Sequence, residues 1–191
     1  MARSAVGVEV NSRRVHAVLL RKGRRGHIIH DYASVEHGGV ITAREGVRDA
    51  EAYRRAVREV LARVGSPREN ICLAAFSHDL EVREIEFPLM PEKDLAQALR
   101  FELANSMRFE RGAEDEIEFD FTPLPGDQVD GKRRLLVMAA PRRVPLALLD
   151  PLYHDALYPE ILEFGAFALP WVCPREGGVC YLYAGLDVTH I

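Results

Sequence analysis

The sequence is short of cysteine, of long apolar runs and of any dominant charge, and each shortage removes a class of protein. Cys72, Cys173 and Cys180 are the three cysteines in 191 residues, with no Cys-x-x-Cys pair; this argues against a disulfide scaffold and fits a reducing compartment. No apolar run approaches the ~20 residues needed to cross a bilayer, and the N-terminal MARSAVGVEV passes straight into a strand pattern with no leader. A cytoplasmic protein is expected, with no direct membrane insertion and any membrane association made through a partner. The net charge of −4 supplies no global field that would draw nucleic acid. Short basic clusters at residues 21–25 and 132–134 stand beside glycines and read as solvated hairpin turns. Also missing are GxSxG, GxxxxGK[ST] and HExxH motifs and any repeat of 20 to 50 residues.

What is present is an ordinary globular composition, 48% hydrophobic and 28% charged, sized for one larger domain or two small ones. The organising stretch is Gly7 to Leu20. Val6, Val8 and Val10 alternate with Gly7 and Glu9 as a strand, Val15 to Leu20 make the return strand, and Asn11, Ser12, Arg13 and Arg14 form a polar corner between them. A third strand is predicted at His27 to Val35, a helix over about Asp49 to Val64 closed by Gly65, and a buried strand at Ile71 to Phe76. These make a first unit.

The second unit is predicted as strand, helix, two strands, helix and strand. Leu80 to Phe87 alternates and ends at Pro88; Pro91 opens a helix with Leu95, Ala98, Leu99, Leu103 and Met107 on its apolar face; Glu116 to Phe121 alternates acids with Ile117, Phe119 and Phe121. Leu135 to Ala140 is a buried strand, about Val144 to Leu157 a helix, and Glu160 to Glu163 a short strand. The carboxylates of Glu84, Glu86, Glu116, Glu118 and Asp120 read as solvent faces of these strands, not as paired catalytic acids. The architecture is α/β in two interleaved parts.

Three segments together resemble the PilM family of type IV pilus assembly, actin-like proteins related to FtsA and to the GspL cytoplasmic domain. They are GVEVNS at Gly7 to Ser12 with Val15 to Leu19, the segment from Glu84 to Met90 running into Leu95 to Glu102, and Leu135 to Arg142. The resemblance implies an actin-like (ribonuclease H-like) subdomain at 1–76, an inserted FtsA/PilM-type α/β subdomain at 77–162, and a return to the actin-like core at 163–191, truncated before the second actin-like half. The last residues, Asp187 to Ile191, read as an unfinished strand or hairpin, in keeping with a piece of a longer protein.

In such families two phosphate loops hold a nucleotide, and the positions that match them here are Glu9, Asn11, Ser12, Gly185 and Thr189. The match is degenerate. Val10 stands where the first loop has a glycine and Tyr183 where the second has an acid; a β-branched residue resists the backbone geometry that glycine supplies. The resemblance thus implies no catalytic residue, no metal and no cofactor for this chain, with ATP and Mg²⁺ entering only if a longer protein keeps a competent site. The function implied is a non-catalytic cytoplasmic scaffold of a type IV pilus or type II secretion inner-membrane platform; an actin-like ATP-binding protein and an FtsA-like polymerising module are the alternatives. Its implied partner is the N-terminal cytoplasmic peptide of a single-span inner-membrane pilus or secretion protein, with the assembly ATPase as a further candidate. Val82, Arg83, Ile85, Arg100 and Phe101, near where the first unit hands over to the second, are expected to contact that peptide, the arginines through charge and the apolar residues as anchors.

Overall fold

The computed structural model describes residues 4–42, 46–65, 70–106, 117–125, 131–168, 183–184 and 189–190. The chain divides into two compact units, one formed by Met1–His78 with Ala147–Ile191, the other by Asp79–Leu146.

In the first unit, β1 (Ser4–Val10), β2 (Arg14–Gly23) and β3 (Gly26–Glu36) form the expected antiparallel meander. Alternation dictates which side chains are covered: Val6, Val8, Val10, Val15, Ala17 and Leu19 are buried, while Gly7 and its like-facing neighbours look the other way. A two-residue pair, β4 (Ile41–Thr42) with β5 (Gly46–Val47), follows. The helix α1 (Ala50–Arg63) starts where Asp49 accepts hydrogen bonds from the Glu51 and Ala52 amides and stops at Gly65, which adopts a φ of 59°. Its buried stripe is Tyr53, Ala56, Val57, Val60 and Leu61, and the Tyr53 hydroxyl donates to the Leu148 carbonyl at 3.1 Å. Burial pushes the Tyr53 phenol well above its ordinary range. The next strand, β6 (Ile71–Ala75), lies parallel to β1, with Val8 opposite Leu73.

The second unit is a three-stranded antiparallel sheet of β7 (Glu81–Pro88), β8 (Ile117–Pro123) and β9 (Lys132–Pro141), in the order β7-β9-β8, with α2 (Glu92–Ser106) supplying the rest of its core. Leu95, Leu99 and Leu103, at helical i, i+4, i+8 spacing, bury against Ile117, Leu135, Val137 and Ala139.

The division between units differs from the predicted 77–162. The helix α3 (Arg143–Tyr153) begins in the second unit and ends in the first, and β10 (Ile161–Phe164) pairs in parallel with β6, Leu162 opposite Leu73. The first sheet therefore has five strands in the order β10-β6-β1-β2-β3. A parallel pairing across nearly 90 residues leaves no local mark in sequence, so the strand at 160–163 could be read but not its sheet. The helix α3 also ends four residues earlier than predicted: Pro151 removes an amide, and Ala156 turns into left-handed backbone at φ 53°. A short 3₁₀ turn at Gly165–Ala168 and the paired β11 (Tyr183–Ala184) and β12 (Thr189–His190) complete the described elements.

Cys72, on β6, is half-buried and burial pushes its thiol up, with the Glu163 carboxylate adding to the effect. Alkylation of Cys72 by iodoacetamide at neutral pH, followed peptide by peptide in a mass spectrometer, is expected to run at least about tenfold slower than that of an unhindered cysteine. An equal rate would contradict this burial.

Candidate functional site

The corner between β1 and β2 is closed on itself. The Asn11 side-chain oxygen accepts from the Arg13 amide at 3.0 Å and the Arg14 amide at 2.9 Å, while the Asn11 amide donates to the Arg14 carbonyl at 3.0 Å. This is the backbone capture that an Asx side chain performs in turns. The backbone of Arg13 is also taken, since its carbonyl accepts from the His37 amide at 3.0 Å.

His37, buried to 8% exposure, completes the closure. Its Nδ1 accepts from the Val40 amide at 3.2 Å, and its Nε2 lies 2.7 Å from the Asn11 carbonyl. An amide can only donate, so Nδ1 carries no proton, and Nε2, facing a carbonyl, carries it. Gly38 and Gly39, at φ of 66° and 81°, turn the chain back so that the Val40 amide reaches the ring. Arg14 is anchored to Glu36 at 2.5 Å, and that guanidinium holds the Glu36 carboxyl below its ordinary range. The sign follows: the pairing contributes at neutral pH and is lost as acidification protonates Glu36.

The five residues matched to phosphate loops are thus not gathered into a phosphate cradle among the described residues. Glu9 lies one residue before the end of β1, opposite His16, Asn11 spends its side chain on the corner, and Ser12 sits within the same turn. Thr189 pairs through its backbone with Ala184, and Gly185 lies outside the described residues. The signal for His37 was present in sequence as a histidine directly before Gly38-Gly39, but its partner is 26 residues away.

In the second unit the strand period separates the predicted partner residues. Arg83 and Ile85 share the face of β7 that α2 covers, and Ile85 packs against the core; Val82, 39% exposed, looks the opposite way beside Glu84 and Glu86. Val82 therefore does not join Arg83 and Ile85 in one patch. Neither arginine is a free arm. Arg83 pairs with Glu81 at 2.7 Å and donates to the Ser106 carbonyl at 3.3 Å. Arg100 donates to the Ile117 carbonyl at 2.9 Å and lies over the Phe119 ring, 5.1 Å from its centroid. Both tie the helix to its sheet. Phe101, absent from the apolar face predicted for α2, is 73% exposed on the outer side of that helix.

No family model matches the sequence, and a sequence search of curated proteins finds no match. Solved structures do match. The chain superposes on PilM in the PilM–PilN type IV pilus biogenesis complex with a TM-score of 0.74 and 22% identity, over 87% of this chain and 49% of that one. It also superposes on the cytoplasmic domain of EpsL, an inner-membrane component of the type II secretion system of Vibrio cholerae, with a TM-score of 0.57 and 13% identity, over 88% of this chain and 60% of that one. The fold is therefore the actin-like α/β fold of PilM and EpsL. The chain spans about half the length of the first of these structures and 60% of the second. Nothing in these matches supports an assembly ATPase as a partner.

Proposed function

We propose that this chain is a non-catalytic component of a pilus- or secretion-type inner-membrane platform, peripheral to the membrane, which holds the N-terminal cytoplasmic segment of a single-span membrane protein. The observation that carries this reading is the likeness, over 87% of the chain, to a structure solved as the PilM–PilN complex. The self-closed corner supports its non-catalytic part. A phosphate loop binds through outward-aimed amides, whereas here the amides of Asn11, Arg13 and Arg14 are engaged within the turn.

Within the second unit, Phe101 is the proposed anchor for the peptide, because it is a large exposed aromatic that contributes little to its own core. Arg83, Ile85 and Arg100 act behind it by fixing α2 on the sheet, and Val82 offers a lesser contact on the opposite face. The test is titration with a synthetic peptide of the cytoplasmic N-terminus of the single-span membrane protein encoded beside this chain. Phe101→Ala is expected to weaken binding about tenfold or more with circular dichroism unchanged. Unchanged affinity would move the anchor elsewhere, and absence of binding by the parent chain would overturn the partner reading itself. Arg100→Glu is a poorer probe, since losing the Ile117 and Phe119 contacts lowers stability as well.

A further inference from the structure

The hairpin of β2 and β3 overruns its core. Leu19 is the last buried residue of β2, and every residue from Arg24 to Tyr32 is exposed, as are Arg21 and Lys22, while Leu20 and Gly23 are half-buried. The ribbon thus runs four paired residues, roughly 13 Å of strand, past the core, with its β3 strand bare on both faces. A bulge accompanies the start of this overhang: Leu19 faces Asp31 and Leu20 faces Ile29, leaving His30 as the extra residue. Beyond it stand two large aliphatic side chains, Ile28 at 60% and Ile29 at 69% exposure. They lie on opposite faces, as consecutive strand residues do. Gly23 makes room for the first, because a Cβ at that position would come within 2.7 Å of the Ile28 Cδ1.

The same tip carries Arg21, Lys22, Arg24 and Arg25, and the segment 20–30 contains no Asp or Glu. A local charge of +4 therefore projects from a chain of net charge −4. Arg14, Arg58 and Arg63 in the same unit are each paired with a carboxylate, whereas Arg13 and Arg55 are exposed with no such ion pair among the described residues, so the tip is distinguished by the clustering of its basic side chains and not by their exposure. A basic cluster alone reads as a solvated turn; isoleucines bare on both faces of a narrow ribbon beside it do not.

We propose that the tip of this hairpin, Arg21 to His30, is a peripheral docking element for an anionic phospholipid surface, with the four basic side chains at the headgroups and Ile28 and Ile29 entering the interface. Charge complementarity selects the occupant. Two copies of the tip would bring like charges together. A nucleic acid would leave the isoleucines unused and would find no Phe, Tyr or Trp in the segment 20–30 on which to stack a base. A bilayer interface takes a cationic, two-sided apolar tip without requiring a matching groove. This contact is independent of the peptide reading and adds a direct foothold on the membrane to a partner-mediated one.

The experiment is flotation of the 191-residue chain, without any partner, on phosphatidylcholine vesicles with and without about 30% phosphatidylglycerol. The chain is expected to float with the anionic vesicles only, and to be released as salt rises from about 0.1 to 0.5 M. At about fivefold per basic side chain, Arg24→Ser with Arg25→Ser should lower the partition roughly 25-fold. Ile28→Ser with Ile29→Ser should lower it at least about tenfold. Neither pair touches the core, and circular dichroism should be unchanged. Absence of flotation, or flotation by both variants equal to the parent, overturns the proposal. So does binding to a duplex oligonucleotide in place of vesicles, or a dimer that the isoleucine variant abolishes while vesicles go unbound.

Discussion

Leu99→Ala is expected to destabilise the second unit by about 2–5 kcal/mol, while Phe101→Ala, two residues along the same helix, should change stability by less than about 1 kcal/mol. Leu99 is wholly buried between Leu95 and Leu103 on α2 and Leu135, Val137 and Ala139 on the sheet. Truncating it removes three carbons from the packed layer between helix and sheet. Whole-domain stabilities are typically about 5–15 kcal/mol, so this loss is a large share of what one small unit possesses. Phe101 loses only exposed surface, and alanine is the better helix former. Urea unfolding followed by circular dichroism separates the two. Equal midpoints for Leu99→Ala and the parent would mean that α2 does not cover the sheet as described; a large drop for Phe101→Ala would place that ring in a core instead of at a contact surface.

That contrast also shows where the sequence was readable. The i, i+4, i+8 leucines of α2 and the alternating acids and aromatics of β8 announce their elements, because each periodicity is a direct consequence of one covered face. The meander of β1, β2 and β3 and the covered strand β6 followed from the same logic; the place of β6 beside β1 did not. The phase of β7 was equally legible, yet grouping Val82 with Arg83 and Ile85 ignored it, although consecutive strand residues point to opposite faces. What could not be read locally were pairings made at a distance. The parallel ladder of β10 on β6, the reach of Arg100 to the Ile117 carbonyl and the wedge of His37 under Asn11 join segments 17 to about 90 residues apart. Nor does alternation tell how far a hairpin outruns its core. Ile28 and Ile29 in HIIHDYASV look like ordinary strand residues until the structure shows that nothing covers them.

His37→Ala is expected to lower stability by about 2–4 kcal/mol, because it strips one hydrogen bond each from the Asn11 carbonyl and the Val40 amide and leaves a void in a part-buried place. Asn11→Ala should cost less, about 1–2 kcal/mol, since its turn can be solvated. The functional consequence separates a structural corner from a dormant phosphate loop. In Asn11→Ala the Arg13 and Arg14 amides are released from the side chain, so a loop that was merely blocked would gain affinity for Mg-ATP. A corner whose backbone is shaped by Val10 instead of glycine would not, because the amides still lack the path that lets them converge on a phosphate. Isothermal titration with Mg-ATP is accordingly expected to give no measurable heat of binding for the parent or for Asn11→Ala. Micromolar binding by the parent would overturn the non-catalytic reading, and binding gained only by Asn11→Ala would show that Asn11, and not Val10, had closed the site.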